Sequence, residues 1–112
     1  MELPRESALL RIFIGEDEKF EGRPAYEAIV MKARELNMAG ATVTRGILGF
    51  GKTSRIHAAK VLEMSGDLPL VIEIVDTEDK LNNLLPVIEK MHKGGLVTLE
   101  KAKVLHYKHE ER

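Results

Sequence analysis

The residues Gly46-Ile47-Leu48-Gly49-Phe50-Gly51-Lys52-Thr53 match the spacing G-x-x-x-x-G-K-[ST]. In nucleotide hydrolases that spacing lets backbone amides cradle phosphate oxygens, while the lysine supplies a positive charge and the hydroxyl a magnesium ligand. Asp76, at the end of the apolar run LPLVIEIVD, stands where such an enzyme keeps its second magnesium ligand. Other side chains capable of chemistry are the acidic run Glu16-Asp17-Glu18 and the histidines His57, His92, His106 and His109. The acidic run, beside the end of a strand, reads more simply as a solvated turn than as a magnesium site. His106 and His109 lie three apart on an extended segment, which points their rings to opposite faces, so solvated histidines are expected and a metal is not. No serine, histidine and carboxylate combination reads as a catalytic set, and no enzymatic activity is expected.

These residues must be positioned by one domain. With 112 residues there is material for a single core, and the whole chain, 1–112, is read as one unit. The 44% hydrophobic and 31% charged residues describe a soluble globular protein, and a formal charge of −1 leaves no basic field for nucleic acid. No cysteine is present, which removes disulfides and thiolate metal sites. No apolar run reaches the roughly 18 residues of a membrane span, and MELPRES does not resemble a signal peptide, so a cytoplasmic protein that is not membrane-inserted is expected.

Ala8–Ile14 reads as a first strand ending at Gly15, and Pro24 to Met38 as a helix with apolar residues at helical spacing, stopped by Asn37-Met38-Ala39-Gly40. Ala41–Arg45 and Leu70–Val75 read as a second and third strand, and a second helix begins at Asp76-Thr77, with Leu81, Leu84, Leu85, Ile88 and Met91 as its apolar stripe. Pro86 predicts a bend near Asn82 to Leu85, Gly94-Gly95 the end of that element, and Ala102 to Tyr107 a last strand. Between the second and third strands lies a long connection, Ile47 to Asp67, within which Ser54 to Met64 fits a short helix and a strand equally well.

The order βαββαβ predicts an α+β, ferredoxin-like fold: a four-stranded antiparallel sheet with both helices on one face. Alternation puts Leu10, Ile12, Ile14, Leu70, Ile72 and Ile74 on the helix side and Leu9, Arg11, Phe13, Val71, Glu73, Val75, Lys103, Leu105 and Tyr107 on the other. That second set is too apolar for a bare surface, and self-association is the expected cover. The same element order weighs against a phosphate loop of the hydrolase type, which sits on a mostly parallel sheet built of repeated βα units.

Gly40-Ala41-Thr42-Val43 leading to Gly49-Phe50-Gly51-Lys52 and then His57 resembles the PII signalling pattern Gly-x-Thr-Val, Gly-Phe-Gly-Arg and a following histidine. The separated blocks LRIFIGEDE, RPAYEAIVMKARELNMAGATVTRGILGFG, SRIHAAKVLEMSGDLPLVIEIVD and GGLVTLEKAKVL resemble more closely an uncharacterised bacterial PII-like family, domain of unknown function 190, from Leu9 to Tyr107. The resemblance implies a homotrimer with sheets facing a common centre, where Arg11, Glu73 and Lys103 would pair. It also implies a long loop at about 47–67 that contacts an unidentified target protein, and an adenine nucleotide (ATP, ADP or AMP) in clefts between subunits.

Carried over by motif, Gly40 and Thr42 would line the base pocket, and Gly49, Phe50, Gly51 and Lys52 would approach the phosphates. Lys93, Gly94 and Gly95 would form a second loop on the nucleotide, and Arg55 and His57 would contact a partner or the loop itself. Lysine stands at Lys52 where the PII pattern has arginine, and one more residue separates Gly40 from Gly49. Neither Tyr26 nor Tyr107 occupies the long loop, so tyrosine modification there is not expected. The function expected is regulatory binding; the alternatives are a hydrolase using Gly46–Thr53 and a structural trimer without ligand.

Overall fold

The computed structural model describes residues 3–51, 57–58 (backbone only) and 67–108. The chain runs β1 (Glu6–Gly15), a small hairpin of β2 (Lys19–Phe20) and β3 (Arg23–Pro24), α1 (Ala25–Glu35), β4 (Ala41–Arg45), a second small hairpin of β5 (Leu48–Gly49) and β6 (His57–Ala58), β7 (Pro69–Asp76), α2 (Glu78–Met91) and β8 (Leu96–Lys103). The main sheet has the order β4-β7-β1-β8 and is antiparallel at each pairing. This is the ferredoxin-like arrangement expected from the element order.

Strict alternation builds the core. In β7 every second residue, from Leu70 to Asp76, is buried, and Leu10, Ile12 and Ile14 of β1 lie in register with Ile74, Ile72 and Leu70. Ile29 of α1 and Leu81, Leu84 and Ile88 of α2 close over them. At about 25 cal/mol per Å² of apolar surface removed from water, this one layer supplies the dominant stabilising term.

Each helix end has an identifiable cause. After α1, Asn37 takes φ of +58°, the Met38 N–H donates to the Ala33 carbonyl and the Asn37 N–H to the Arg34 carbonyl, both at 3.0 Å. That is a complete Schellman termination. The Thr77 hydroxyl accepts from the Lys80 N–H at 3.3 Å and caps α2. α2 runs unbroken through Pro86, from Glu78 to Met91. Asn82, whose carbonyl loses its donor to the proline ring, is exposed, so water can supply the missing partner.

Two expectations need correction. The last strand is Leu96–Lys103, not Ala102 to Tyr107, because the free edge of β1 pairs from Phe13↔Leu96 to Glu6↔Lys103. That register puts Lys103 opposite Glu6, on the helix side, so it does not join Arg11 and Glu73 on the open face. Their third partner is Glu100: Arg11 Nε donates to Glu73 Oε2 at 2.9 Å and Nη1 to Glu100 Oε1 at 2.6 Å. The Glu73 bond, and then Glu100, hold the Arg11 guanidinium above its ordinary pKa, so it stays charged at any pH the protein meets. The open face is otherwise apolar at Leu9, Phe13, Val71, Val75 and Leu96, with Phe13 37% and Leu96 57% exposed.

The long connection begins as a hairpin, with Leu48 paired to Ala58 and Gly49 to His57. Ser54, Arg55 and the remainder of Ser54 to Met64, apart from the backbone of 57 and 58, lie outside the described residues. None of the described helices is long and apolar enough to cross a membrane.

Candidate functional site

The phosphate-loop spacing falls where a hydrolase would not put it. Gly46–Phe50 leaves β4 and enters the β5–β6 hairpin on an antiparallel sheet, and Lys52 and Thr53 lie outside the described residues. Asp76 is also committed elsewhere. It is 1% exposed, Oδ2 accepts from the Ala39 N–H at 2.8 Å and lies 3.3 Å from Lys80 Nζ, and Oδ1 accepts from the Thr77 N–H at 2.7 Å. Lys80 Nζ donates in turn to the Asn37 carbonyl at 2.6 Å. The carboxylate is a clamp between the α1–β4 turn and the start of α2.

That clamp positions one edge of a cleft of about 580 Å³, whose walls include Leu9, Gly40, Thr42, Glu73, Val75 and Tyr107. Two of the predicted site residues, Gly40 and Thr42, therefore stand on a concave surface. Tyr107 was not foreseen there. After β8 the chain turns across β1, with the Val104 N–H donating to the Arg5 carbonyl at 2.8 Å, and the Tyr107 hydroxyl donates to the Ala39 carbonyl at 2.6 Å. Nothing in the sequence signals that contact, because it joins residues 68 apart, one in the segment after β8 and one in the turn before β4.

Local geometry separates the candidate glycines. A Cβ on Gly49 would sit 3.2 Å from the Pro69 ring, and on Gly95, at φ of +144°, it would clash with the His92 ring and lie 2.6 Å from the Phe13 carbonyl oxygen. The fold accounts for those two. At Gly40, Gly51 and Gly94 a Cβ would find nothing within 4 Å, and none of the three has positive φ. These positions leave bare backbone facing open space, the condition for close approach of an anion or a ring. Phe50, next to Gly51, is 70% exposed.

His92, expected to be solvated, is buried. Its side chain is 4% exposed, Nδ1 lies 2.8 Å from Glu18 Oε2, and Nε2 lies 3.0 Å from the Phe13 carbonyl oxygen. The ring roots the Lys93–Gly95 loop on the end of β1. Among the described residues no group of three or more histidines, aspartates and glutamates converges as a metal site. His57 contributes described backbone alone, and Arg55 lies outside the described residues.

The two halves of the predicted site do not meet within one chain. Gly40 and Thr42 lie at the start of β4, on one edge, and Lys93–Gly95 precedes β8 at the opposite edge; the Gly49–Gly51 segment follows the far end of β4, at the same end of the sheet as Lys93–Gly95. Three strand spacings separate these edges, about 14 Å.

The comparisons with known proteins agree with this architecture. The DUF190 family, described as "Uncharacterized ACR", matches residues 7–104. A UPF0166 protein of Aquifex aeolicus is 45% identical over 98 residues, spanning 88% of this chain and 92% of that protein. Among solved structures, CPII bound to ADP and bicarbonate, from Thiomonas intermedia, superposes with a TM-score of 0.66 at 17% identity, covering 88% of both chains. A PII-like signalling protein from Thermus thermophilus gives 0.65 at 15% identity over 93% of both chains. Identities this low establish shared fold and no more. The family match over nearly the whole chain and the shared architecture together make this chain a member of the DUF190 family, with the fold of PII-like proteins.

Proposed function

We propose that the protein is a PII-like regulatory trimer that binds an adenine nucleotide between subunits and signals to a partner protein through its 47–67 connection. The observation that carries this reading is the division of the site: a cleft at the β4 edge with bare backbone at Gly40, and a loop with bare backbone at Gly94 across the sheet. Either half alone is incomplete, and assembly through the apolar open face supplies both the cover that face lacks and the missing half. The ADP carried by the Thiomonas protein of like fold supports the ligand class. Thr42 and Gly40 would receive the base, the Gly49–Lys52 segment and Lys93–Gly95 the phosphates, and Arg55 and His57 the partner. The nucleotide acts by binding two arrangements of the connection unequally, since equal binding shifts nothing.

Sedimentation should give a trimer, and a melting screen with ATP, ADP and AMP should raise the transition for at least one of them. A ligand at a hundred times its Kd adds about 2.7 kcal/mol of apparent stability. Lys52→Ala and Gly40→Ala should reduce that shift, and Gly40→Ala should leave the ligand-free transition within about 2 °C, as expected for an exposed position with open space around it. A trimer with no shift from any nucleotide would favour a structural assembly, and nucleotide turnover lost in Lys52→Ala would favour an enzyme.

A further inference from the structure

The acidic turn after β1 touches both stems of the long connection and the residue that roots the Lys93–Gly95 loop. All four strands of the main sheet have one end on this side: Arg45 ends β4, Pro69 begins β7, Gly15 ends β1 and Leu96 begins β8. β1 lies between β7 and β8, so its end stands between the long connection and the Lys93–Gly95 loop.

On the first side, the Glu16 N–H donates to the Leu68 carbonyl at 2.9 Å, the Asp17 N–H donates to Asp67 Oδ1 at 3.0 Å, and the Glu16 carboxylate pairs with Arg45. Both stems of the connection are thus held by two consecutive residues. On the second side, Glu18 Oε2 holds the buried His92 that roots the other loop. The turn itself is braced, with the Glu18 N–H on the Gly15 carbonyl at 3.2 Å and the Ala25 N–H at the start of α1 on the Glu18 carbonyl at 2.8 Å. Gly15 is packed so closely on Asp67 that a Cβ would lie 2.6 Å from its carboxylate.

From these contacts we propose that Gly15–Glu18 is a coupling element, with Glu16 and Glu18 as positioning residues that make the stems of the 47–67 connection and the Lys93–Gly95 loop move as one unit. Its functional meaning rests on the reading that these loops serve a nucleotide. Within one chain, a ligand that shifts the Lys93–Gly95 loop would shift the connection through a braced four-residue turn, with no requirement that it touch both. The solvated turn expected for this acidic run is replaced by a junction. Coupling of this kind is a free energy and is reciprocal, so it must show in both directions.

The test is backbone amide exchange by NMR on the ligand-free protein, comparing wild type, Glu16→Gln, Glu18→Gln and the double variant. Gly46, whose N–H donates to the Pro69 carbonyl at 2.7 Å, reports the connection, and His92, whose N–H donates to the Ile88 carbonyl at 2.7 Å, reports the second loop. Glu18→Gln should speed exchange at Gly46 about threefold or more, Glu16→Gln should do the same at His92, and the double variant should show less than the product of the two. If each variant changes its own side alone and the effects multiply, the coupling is refuted. Arg45→Met and His92→Leu remove the same contacts from the loop side and replace any glutamate variant that does not fold. Because no nucleotide is present, a wild type that binds none would sink the functional reading while the exchange result still decides the coupling.

Discussion

Asp76→Ala is expected to be among the most destabilising single substitutions in the chain, lowering stability by about 2–5 kcal/mol and the thermal midpoint by roughly 10 °C or more. The carboxylate is almost wholly enclosed and accepts from two backbone N–H groups, of Ala39 and Thr77. Removing it leaves both partly buried donors without their partner, at about 1–3 kcal/mol each. Lys80 loses its ion pair but is one-third exposed and keeps the Asn37 carbonyl, so its contribution to the loss is small. Asp76→Asn retains one acceptor oxygen and should lose less. Urea unfolding at equal protein concentration would measure both, and an Asp76→Ala loss below about 1 kcal/mol would show that the clamp is not holding the α1–β4 turn. On the nucleotide reading proposed above, ligand affinity should fall as well, since Ala39 is the residue before Gly40.

Gly95→Ala and Gly94→Ala should differ sharply although they are neighbours and chemically identical changes. At Gly95, φ of +144° belongs to a region that side chains avoid, and the new methyl would meet a backbone oxygen of Phe13 and the buried His92 ring. Backbone strain of about 1–3 kcal/mol combines with a clash that neither neighbour relieves without breaking a hydrogen bond, so a loss of about 3 kcal/mol or more is expected. At Gly94 the methyl meets nothing within 4 Å and the ligand-free stability should change by less than about 0.5 kcal/mol. Its effect should appear in nucleotide binding alone. Equal stability losses in the two variants would refute the assignment of Gly95 to the fold and Gly94 to the site.

Alternation and helical spacing were enough to place β1, β4, β7 and both helices, because a residue's side of a buried strand is a local property of period two. β8 was misplaced because its residues are mostly exposed, and Thr98, Glu100 and Lys101 blur the apolar pattern; its true span is set by pairing with β1, which the local pattern does not carry. The same limit hid the roles of three charged groups. Asp76 resembled a magnesium ligand, Glu16-Asp17-Glu18 a solvated turn and His92 a solvated ring, since composition names a side chain's capacity but not its neighbours. Each is consumed by groups far along the chain, Asp76 by Ala39, Glu16 by Arg45 and Glu18 by His92.

The sequence by itself determined the fold class, the helix-side core and the presence of an apolar second face, all of which follow from residue type and near-neighbour spacing. Only the tertiary structure decided which glycines the fold requires, that Tyr107 closes one wall of the Gly40–Thr42 cleft, and that Gly40 and Gly94 stand at opposite edges of one sheet. Those are consequences of strand order, and strand order is fixed by long-range pairing of hydrogen-bonding edges that no short stretch of sequence contains.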